Sequence, residues 1–350
     1  MNLRTQMGWQ NTRGKFCATI GASILVTVLS WFGSGIGTKV LGSDAALTMP
    51  LAPLRPRSDL DPRKVSLGGK LFVDPQLSSK GMLSCNSCHD LTKGGTVGRS
   101  RTVGYEGKRH LFNSPTIFNA AINYRLGWRG ELTSLEKQNE KVLLDKNLMD
   151  MNWKTLILRL RENGEYRDAF TEIYGQSLHP EDVLDALATF QRSLVTTNAA
   201  FDRYLEGDET AISRQARTGF ELFQTYGCAS CHQGTNVGGN MFQKFGVFAD
   251  ILGLDELSDE GDLGRWTVTG SDDDKGVFRV PSLRNVEVTA PYFHDGRVAT
   301  LKEAVEVMAR SQLGTELLAE DAEAIIAFLK SLTGEYNGRR LSETPLEIDR

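Results

Sequence analysis

Four of the five cysteines fall into two copies of one pattern, C-x-x-C-H. Two thiols three positions apart lie on one helical turn, so each can form a thioether to a vinyl group of the same haem. The adjacent histidine then lies beneath the iron as its proximal ligand. The pattern predicts two covalently bound c-type haems, attached through Cys85, Cys88, His89, Cys228, Cys231 and His232.

Other uses of paired cysteines fit the sequence less well. Zinc modules usually keep their two cysteine pairs within about 20 residues, whereas Cys88 and Cys228 lie far apart in the chain. A redox disulfide does not require a histidine after each pair. The fifth cysteine, Cys17, lies alone in an apolar N-terminal stretch.

The two haem motifs lie in segments that resemble each other. Gly68–Phe72 precedes the first motif and Gly219–Phe223 precedes the second. Downstream, five residues recur at a constant offset of 166 positions: Pro115, Asn119, Trp128, Gly130 and Leu135 correspond to Pro281, Asn285, His294, Gly296 and Leu301. A constant offset indicates a duplicated architecture.

The elements around the motifs are predicted to be helical. Thr300 and Glu303 form a capping-box pattern, and Gly-rich stretches at 93–107 and 234–276 predict loops. Apolar residues recur at helical spacing on three further faces: Trp153, Leu156, Ile157 and Leu160; Val183, Leu187, Phe190 and Leu194; and Leu318, Ala322, Ile325, Ile326 and Leu329. The sequence therefore predicts a mostly α protein of two cytochrome c-like haem domains related by internal duplication, at 46–206 and 207–350, after an N-terminal segment at 1–45.

The first 45 residues have the pattern of an export signal. Arg4, Arg13 and Lys15 precede an uncharged, apolar stretch, and Ser43–Ala45 offers small residues for cleavage. A cleaved signal peptide and a retained membrane anchor both fit, and both place the remainder in the periplasm. The chain carries 40 Lys plus Arg against 44 Asp plus Glu, a net charge of −4, which argues against nucleic acid as a partner.

The sixth iron ligand is where the two halves differ. Met308 follows the second motif on an apolar helical face, and its counterpart at the same offset is Val142, which cannot bind iron. A methionine ligand raises the potential of a haem and closes its site. Met308 also fits ordinary core packing, but Met241 follows His232 too closely to reach the opposite face. We therefore expect the second haem to be a closed electron relay and the first to be open to peroxide.

Peroxide cleavage benefits from an acid/base group above the open iron. The candidates near the first motif are Tyr105, His110, Asp145 and Asp150. Each of them is also consistent with an ordinary solvated loop residue.

Several longer strings carry a family resemblance over about residues 61–334. They are Asn113-Ser114-Pro115-Thr116, Gly127-Trp128-Arg129-Gly130, Gly234 to Gly239, Pro281 to Asn285, Ala290 to Gly296, and Ala304 to Met308. With the two haem motifs, the chain resembles the bacterial dihaem cytochrome c peroxidases, which include the MauG-like proteins. The resemblance implies a peroxidatic first haem, an electron-entry second haem with Met308 as ligand, and Trp128 between the two. It also implies a homodimer and a calcium site formed by Asn113 and the carbonyls of Thr289 and Pro291.

The sequence departs from that family at the first haem. Classical members carry a histidine 16 positions after the first proximal histidine, where this chain has Tyr105. Their distal glutamate has no clear match, and Asp150 is the nearest substitute. A MauG-like protein would carry tyrosine in place of Met308.

Together these features predict an enzyme that reduces hydrogen peroxide with electrons from a small cytochrome c or cupredoxin. Tyr105 or Asp150 would assist proton movement, and Trp128 would carry electrons between the haems. Two alternatives remain open, a MauG-like oxidase that modifies a partner protein and a dihaem electron carrier without enzymatic activity.

Overall fold

Ten α-helices form most of the regular structure in the computed structural model, which describes residues 51–175, 178–254 and 259–341. The helices are α1 Pro62–Val73, α2 Leu135–Leu144, α3 Trp153–Glu162, α4 Gly164–Tyr174, α5 Pro180–Ser193, α6 Ala200–Leu205, α7 Arg214–Thr225, α8 Trp266–Thr269, α9 Leu301–Met308 and α10 Ala319–Ser331. The mostly α prediction is confirmed. The predicted signal or anchor segment and Cys17 lie outside the described residues. No helix within the described ranges is long and apolar enough to cross a bilayer.

Strands are few and short. β1 (Phe242–Lys244) pairs antiparallel with β2 (Val277–Arg279), and β3 (Glu335–Tyr336) pairs with β4 (Arg339–Arg340). The stretch at 234–276, expected to be loop, contains both β1 and α8. The sequence did not show these elements because a strand of three residues and a helix of four residues are too short to leave a readable apolar periodicity.

The helices begin where local side chains satisfy their first backbone N–H groups. Asp61 accepts a hydrogen bond from the Arg63 backbone N–H at 2.9 Å at the start of α1. Thr300 accepts one from the Glu303 N–H at 3.2 Å at the start of α9, as its capping pattern predicted.

Each haem motif follows a helix that crosses a second helix very closely. α1 packs against α5, and α7 packs against α10. A Cβ atom at Gly68 would overlap the carbonyl oxygen of Ala186, and one at Gly219 would overlap that of Ala324. Glycine is required at both crossings because the backbones themselves are in contact.

Each of the two helix pairs belongs to its own hydrophobic cluster. The first draws on buried residues from Leu67 to Leu194 together with Leu341, and the second on residues from Phe201 to Leu332 together with Leu51. The predicted boundary near Gly207 stays a prediction. Phe201, which precedes it, packs on rings of the second cluster.

The corresponding loops have the same geometry in both halves. Asn119 and Asn285 adopt left-handed backbone angles of φ 59° and 61°, and both donate side-chain N–H groups to the hydroxyl of Thr196, at 2.8 and 2.9 Å. Tight loops then close between Leu126 and Leu132 and between Tyr292 and Val298. These loops position the residues at 128–131 and 294–297.

Candidate haem-binding site

The first motif forms a single 3₁₀ turn, Cys85–Ser87, followed by Cys88 and His89. Nδ1 of His89 lies 3.3 Å from the Gly95 carbonyl oxygen. If Nδ1 carries the hydrogen in this contact, Nε2 is left as the free ligand atom. Burial raises the pKa of the Cys85 thiol to about 12. A neutral, buried thiol suits attachment to an apolar group better than it suits redox chemistry.

The second motif repeats this arrangement with the 3₁₀ turn Cys228–Ser230 and His232. Nδ1 of His232 is buried and has no hydrogen-bond partner among the described residues. Burial lowers the pKa of His232 to about 4, so the imidazole is neutral at physiological pH. A buried, neutral imidazole is the form that binds a metal.

Each motif forms part of the wall of its own cavity. Cys85, Cys88 and His89 line a cavity of about 210 Å³. Cys228, Cys231 and His232 line one of about 410 Å³. Large apolar side chains complete the walls: Phe72, Leu83 and Leu187 in the first cavity, and Phe223, Leu283, Ile325 and Leu329 in the second. Thiols and a neutral imidazole beside an apolar cavity fit a covalently attached haem in both halves.

The corresponding helices of the two halves, α2 and α9, line the first and the second cavity respectively, and they place different side chains there. α9 places Met308, at its last turn, in the second cavity. α2 places Gln138 and Val142, one turn apart, in the first. The contrast between Met308 and Val142 thus holds in three dimensions, while Met241 is absent from the lining of the second cavity.

Seven of the described residues line both cavities at once: Asn113, Ser114, Pro115, Thr116, Asn123, Trp128 and Arg279. The indole N–H of Trp128 donates to the Asn113 backbone oxygen at 2.8 Å. The backbone N–H of Arg279 donates to the Trp128 backbone oxygen at 2.9 Å. These bonds fix the Trp128 side chain in the wall that the two cavities share, and its role between the haems stays a prediction.

The four proton-transfer candidates divide into two groups. His110 and Asp145 line the first cavity, whereas Tyr105 and Asp150 do not. The Tyr105 hydroxyl accepts a hydrogen bond from the Lys80 backbone N–H at 3.2 Å. Asp150 is exposed and lies 3.3 Å from the Ser79 hydroxyl. The catalytic roles of Tyr105 and Asp150 stay predictions, without support from the cavity lining.

The polar residues of the first cavity that sequence reasoning missed include Glu131 and Gln138. Glu131 Oε1 binds Arg129 and Lys141, each at 3.1 Å. Glu131 Oε2 and Gln138 Oε1 are buried without a hydrogen-bond partner among the described residues. The sequence did contain a signal for Gln138: it lies one helical turn before Val142, on the face that was expected to line the first haem site.

Glu131 is negatively charged at neutral pH despite its burial. Burial by itself would raise the pKa of this carboxyl, but a backbone hydrogen bond and the charges of Arg129 and Lys141 hold it below the usual value. The first cavity therefore has an ionised carboxylate in its wall.

Two of the three residues expected to bind calcium, Asn113 and Pro291, are in contact. The side-chain N–H group of Asn113 donates to the Arg99 carbonyl oxygen at 3.0 Å and to that of Pro291 at 3.4 Å. The Thr289 hydroxyl donates to the Val286 carbonyl. Oxygen-rich surroundings suit calcium, and the assignment of Asn113, Thr289 and Pro291 stays a prediction.

A second cluster with metal-binding side chains lies beside Trp128. Asp262, His294 and Asp295 place their ligand atoms within 4.8 Å of one another. Arg297 binds both carboxylates, at 2.6 and 2.8 Å, and His294 Nε2 lies 2.7 Å from Asp262. Arg297 pairs with both carboxylates and neutralises one of their two charges, and this ion-pair network holds the His294 ring 6.4 Å from that of Trp128.

Comparison with known proteins gives consistent matches. The family model for di-haem cytochrome c peroxidase matches residues 62–210. The chain is 37% identical over 313 residues to cytochrome c peroxidase Ccp of Escherichia coli strain K12, covering 88% of this chain and 67% of that one. It is 36% identical over 301 residues to cytochrome c551 peroxidase of Nitrosomonas europaea, covering 86% and 89%. A crystal structure of a MauG-like protein associated with microbial copper homeostasis matches with a TM-score of 0.72 and 27% identity, covering 81% and 93%.

Proposed function

Because this chain belongs to the dihaem cytochrome c peroxidase family, which includes the MauG-like proteins, we propose that it reduces hydrogen peroxide to water with electrons from a small redox protein. The observation that supports this most directly is the contrast between Met308 and Val142 on corresponding helices, each beside the cavity that its haem motif lines. One half offers a thioether ligand, and the other leaves room for a substrate.

The protein holds two haem c groups in this proposal. Cys85, Cys88, Cys228 and Cys231 provide the thioether links, and His89 and His232 provide the proximal nitrogens. Bound haem supplies redox-active iron for peroxide reduction and for electron transfer. Met308 closes the second site, so that peroxide has access only to the first.

Trp128 carries electrons from the second half to the first. Its indole lines both cavities, and hydrogen bonds to Asn113 and from Arg279 fix its position. A rigid aromatic ring at this point shortens the through-space gap that electrons must cross.

Reduction of one peroxide to two waters consumes two electrons and two protons. Glu131, Gln138, His110 and Asp145 surround the first cavity and supply its acid/base and hydrogen-bonding groups. Glu131 is ionised and has one oxygen without a partner, so it is suited to accept a proton from peroxide and return it to the departing oxygen. Tyr105 and Asp150 lie outside the cavity lining, so in this proposal Glu131 exchanges the proton with peroxide.

The remaining parts of the proposal concern architecture and location. Matching loops around Asn119 and Asn285 support an internal duplication, with domains at 46–206 and 207–350. Haem motifs of the c type and the N-terminal pattern support a periplasmic location. A small cytochrome c or a cupredoxin is the proposed donor, the chain forms a homodimer, and calcium binds at Asn113, Thr289 and Pro291.

Stopped-flow mixing of the partly reduced, haem-loaded protein with hydrogen peroxide tests the proposal. We expect stoichiometric oxidation of a reduced cytochrome c or cupredoxin, two donor molecules for each peroxide. Absence of turnover, with both haems six-coordinate before and after partial reduction, would leave only an electron carrier.

A MauG-like oxidase is the second candidate, supported by the structural match to a MauG-like protein. Met308 argues against it, since the MauG-like pattern has tyrosine there. Mass spectrometry of candidate partner proteins after peroxide treatment separates the two, because only the oxidase would leave oxidised Trp or Tyr side chains on a partner.

A further inference from the structure

Two buried arginines, five positions apart, differ in how their charge is balanced. Arg284 is 1% exposed, and its guanidinium donates to both carboxylate oxygens of Asp202, at 3.0 and 2.8 Å. Arg279 is 4% exposed and forms no ion pair with any of the described residues. Its guanidinium donates only to two backbone oxygens, that of Gly127 at 3.1 Å and that of Val280 at 3.4 Å.

A buried cation without a counter-charge is costly. Removing a guanidinium from water costs several kcal/mol, and backbone carbonyls recover only part of it. Burial accordingly lowers the pKa of Arg279 to about 10, which still leaves it protonated at neutral pH. Glu131 attracts it from a distance, but that carboxylate already binds Arg129 and Lys141.

The position of Arg279 indicates what could balance its charge. It lines both cavities, and its backbone N–H binds Trp128 between them. A guanidinium has five N–H donors. Two are used on Gly127 and Val280, which leaves three for an anion at the cavity walls.

We propose that Arg279 is a shared anchor for haem propionate carboxylates, binding one from the haem in each cavity. Carboxylates are the planar acceptors that a guanidinium binds best. One cation then stabilises the reduced, less positive state of both haems and ties them to the segment that holds Trp128. The inference rests on the two bound haems of the proposed function but not on peroxide turnover, so either can fail without the other.

Redox titration of the haem-loaded protein tests the anchor with Arg279→Gln, Arg279→Lys and a control, Arg161→Gln. Arg161 also donates only to a backbone oxygen, that of Leu178 at 2.8 Å, but it is exposed and lines neither cavity. We expect Arg279→Gln to lower the reduction potentials of both haems. At a fixed applied potential, the ratio of oxidised to reduced haem should rise about tenfold, because that is the effect of removing one charge near a partly buried group. Arg279→Lys keeps the charge and should shift less, and Arg161→Gln should shift neither.

A second measurement covers the case in which Arg279→Gln fails to bind haem. Infrared difference spectra of oxidised and reduced protein, loaded with haem ¹³C-labelled at the propionates, report those carboxylates directly. Arg279→Lys should shift the labelled carboxylate bands. Unchanged bands in Arg279→Lys, or potentials in Arg279→Gln equal to those of the control, would overturn the proposal. A third outcome is that the reduction potentials of the unmodified protein change with added chloride while the carboxylate bands stay fixed. Arg279 would then bind a free anion instead of a propionate, and the proposal would be overturned.

Discussion

The indole N–H of Trp128 and the backbone oxygen of Asn113 are joined by a 2.8 Å hydrogen bond, and both residues line the two cavities. This bond fixes the ring plane in the partition between the haem motifs. Trp128→Phe keeps an aromatic ring but removes the donor. We expect transfer of electrons from the second haem to the first to slow by about tenfold or more, because ring size and orientation both change.

Rapid-mixing absorption spectroscopy, with each haem followed at its own wavelength, measures this rate. Trp153→Phe is a matched control, since Trp153 bonds Glu140 at 3.2 Å and lines neither cavity. Equal rates in the unmodified protein and Trp128→Phe would remove Trp128 from the electron path.

Exchanging the residues at the two equivalent helix positions should exchange the properties of the two haems. Met308→Val removes the thioether, so the second haem should lose its low-spin spectrum and its potential should fall. Val142→Met should close the first haem and lower peroxide turnover by about tenfold or more. Absorption and EPR spectra report the ligation of each iron.

Met241→Val is the control for the first of these changes, because Met241 does not line the second cavity. A low-spin spectrum that survives Met308→Val and disappears in Met241→Val would reverse the ligand assignment.

Loss of the Glu131 charge should destabilise the fold at neutral pH but not in acid. The folded-state pKa of Glu131 lies below its usual value. Its contribution is therefore present above the unfolded-state pKa and disappears as pH falls through the folded-state pKa. Glu131→Gln should cost about 1–3 kcal/mol at pH 7, the range for a charged hydrogen bond, and this difference should shrink below about pH 4.

Chemical denaturation at several pH values measures this difference. Glu165→Gln is the control, since Glu165 pairs with Lys70 at the surface, and it should change stability by less than about 0.5 kcal/mol. A Glu131→Gln effect that is the same at pH 3 and pH 7 would contradict the charge argument. Peroxide turnover should also fall in Glu131→Gln, by about a hundredfold if this carboxylate exchanges the proton.

The close helix crossings should tolerate no side chain. Gly219→Ala places a Cβ against the Ala324 carbonyl oxygen, and the forced separation of α7 and α10 should cost about 1–3 kcal/mol or more. Gly164→Ala, at the open first turn of α4, should be neutral or slightly stabilising. Urea denaturation measures both, and equal stabilities would show that the crossing can relax.

The sequence by itself determined the features that depend on short-range order. The two haem motifs were recognisable from cysteines on one turn with an adjacent histidine, and the helices α3, α5, α9 and α10 follow from apolar periodicity and capping. The constant offset that pairs Met308 with Val142 was also visible in the sequence, and the structure places each of the two residues in the wall of one cavity. These features are local, so neighbouring residues specify them.

Only the tertiary structure decided which polar residues surround each cavity. Tyr105 and Asp150 are close in sequence to the expected distal position, yet their side chains bind Lys80 and Ser79 outside the cavity lining. Glu131, Gln138 and Arg279 reach the cavity walls through a tight loop, a helix face and a short strand that meet there only after folding. The physical reason is that burial and charge balance depend on groups far apart in the chain: an arginine next to a carboxylate and an arginine without one look the same in a sequence.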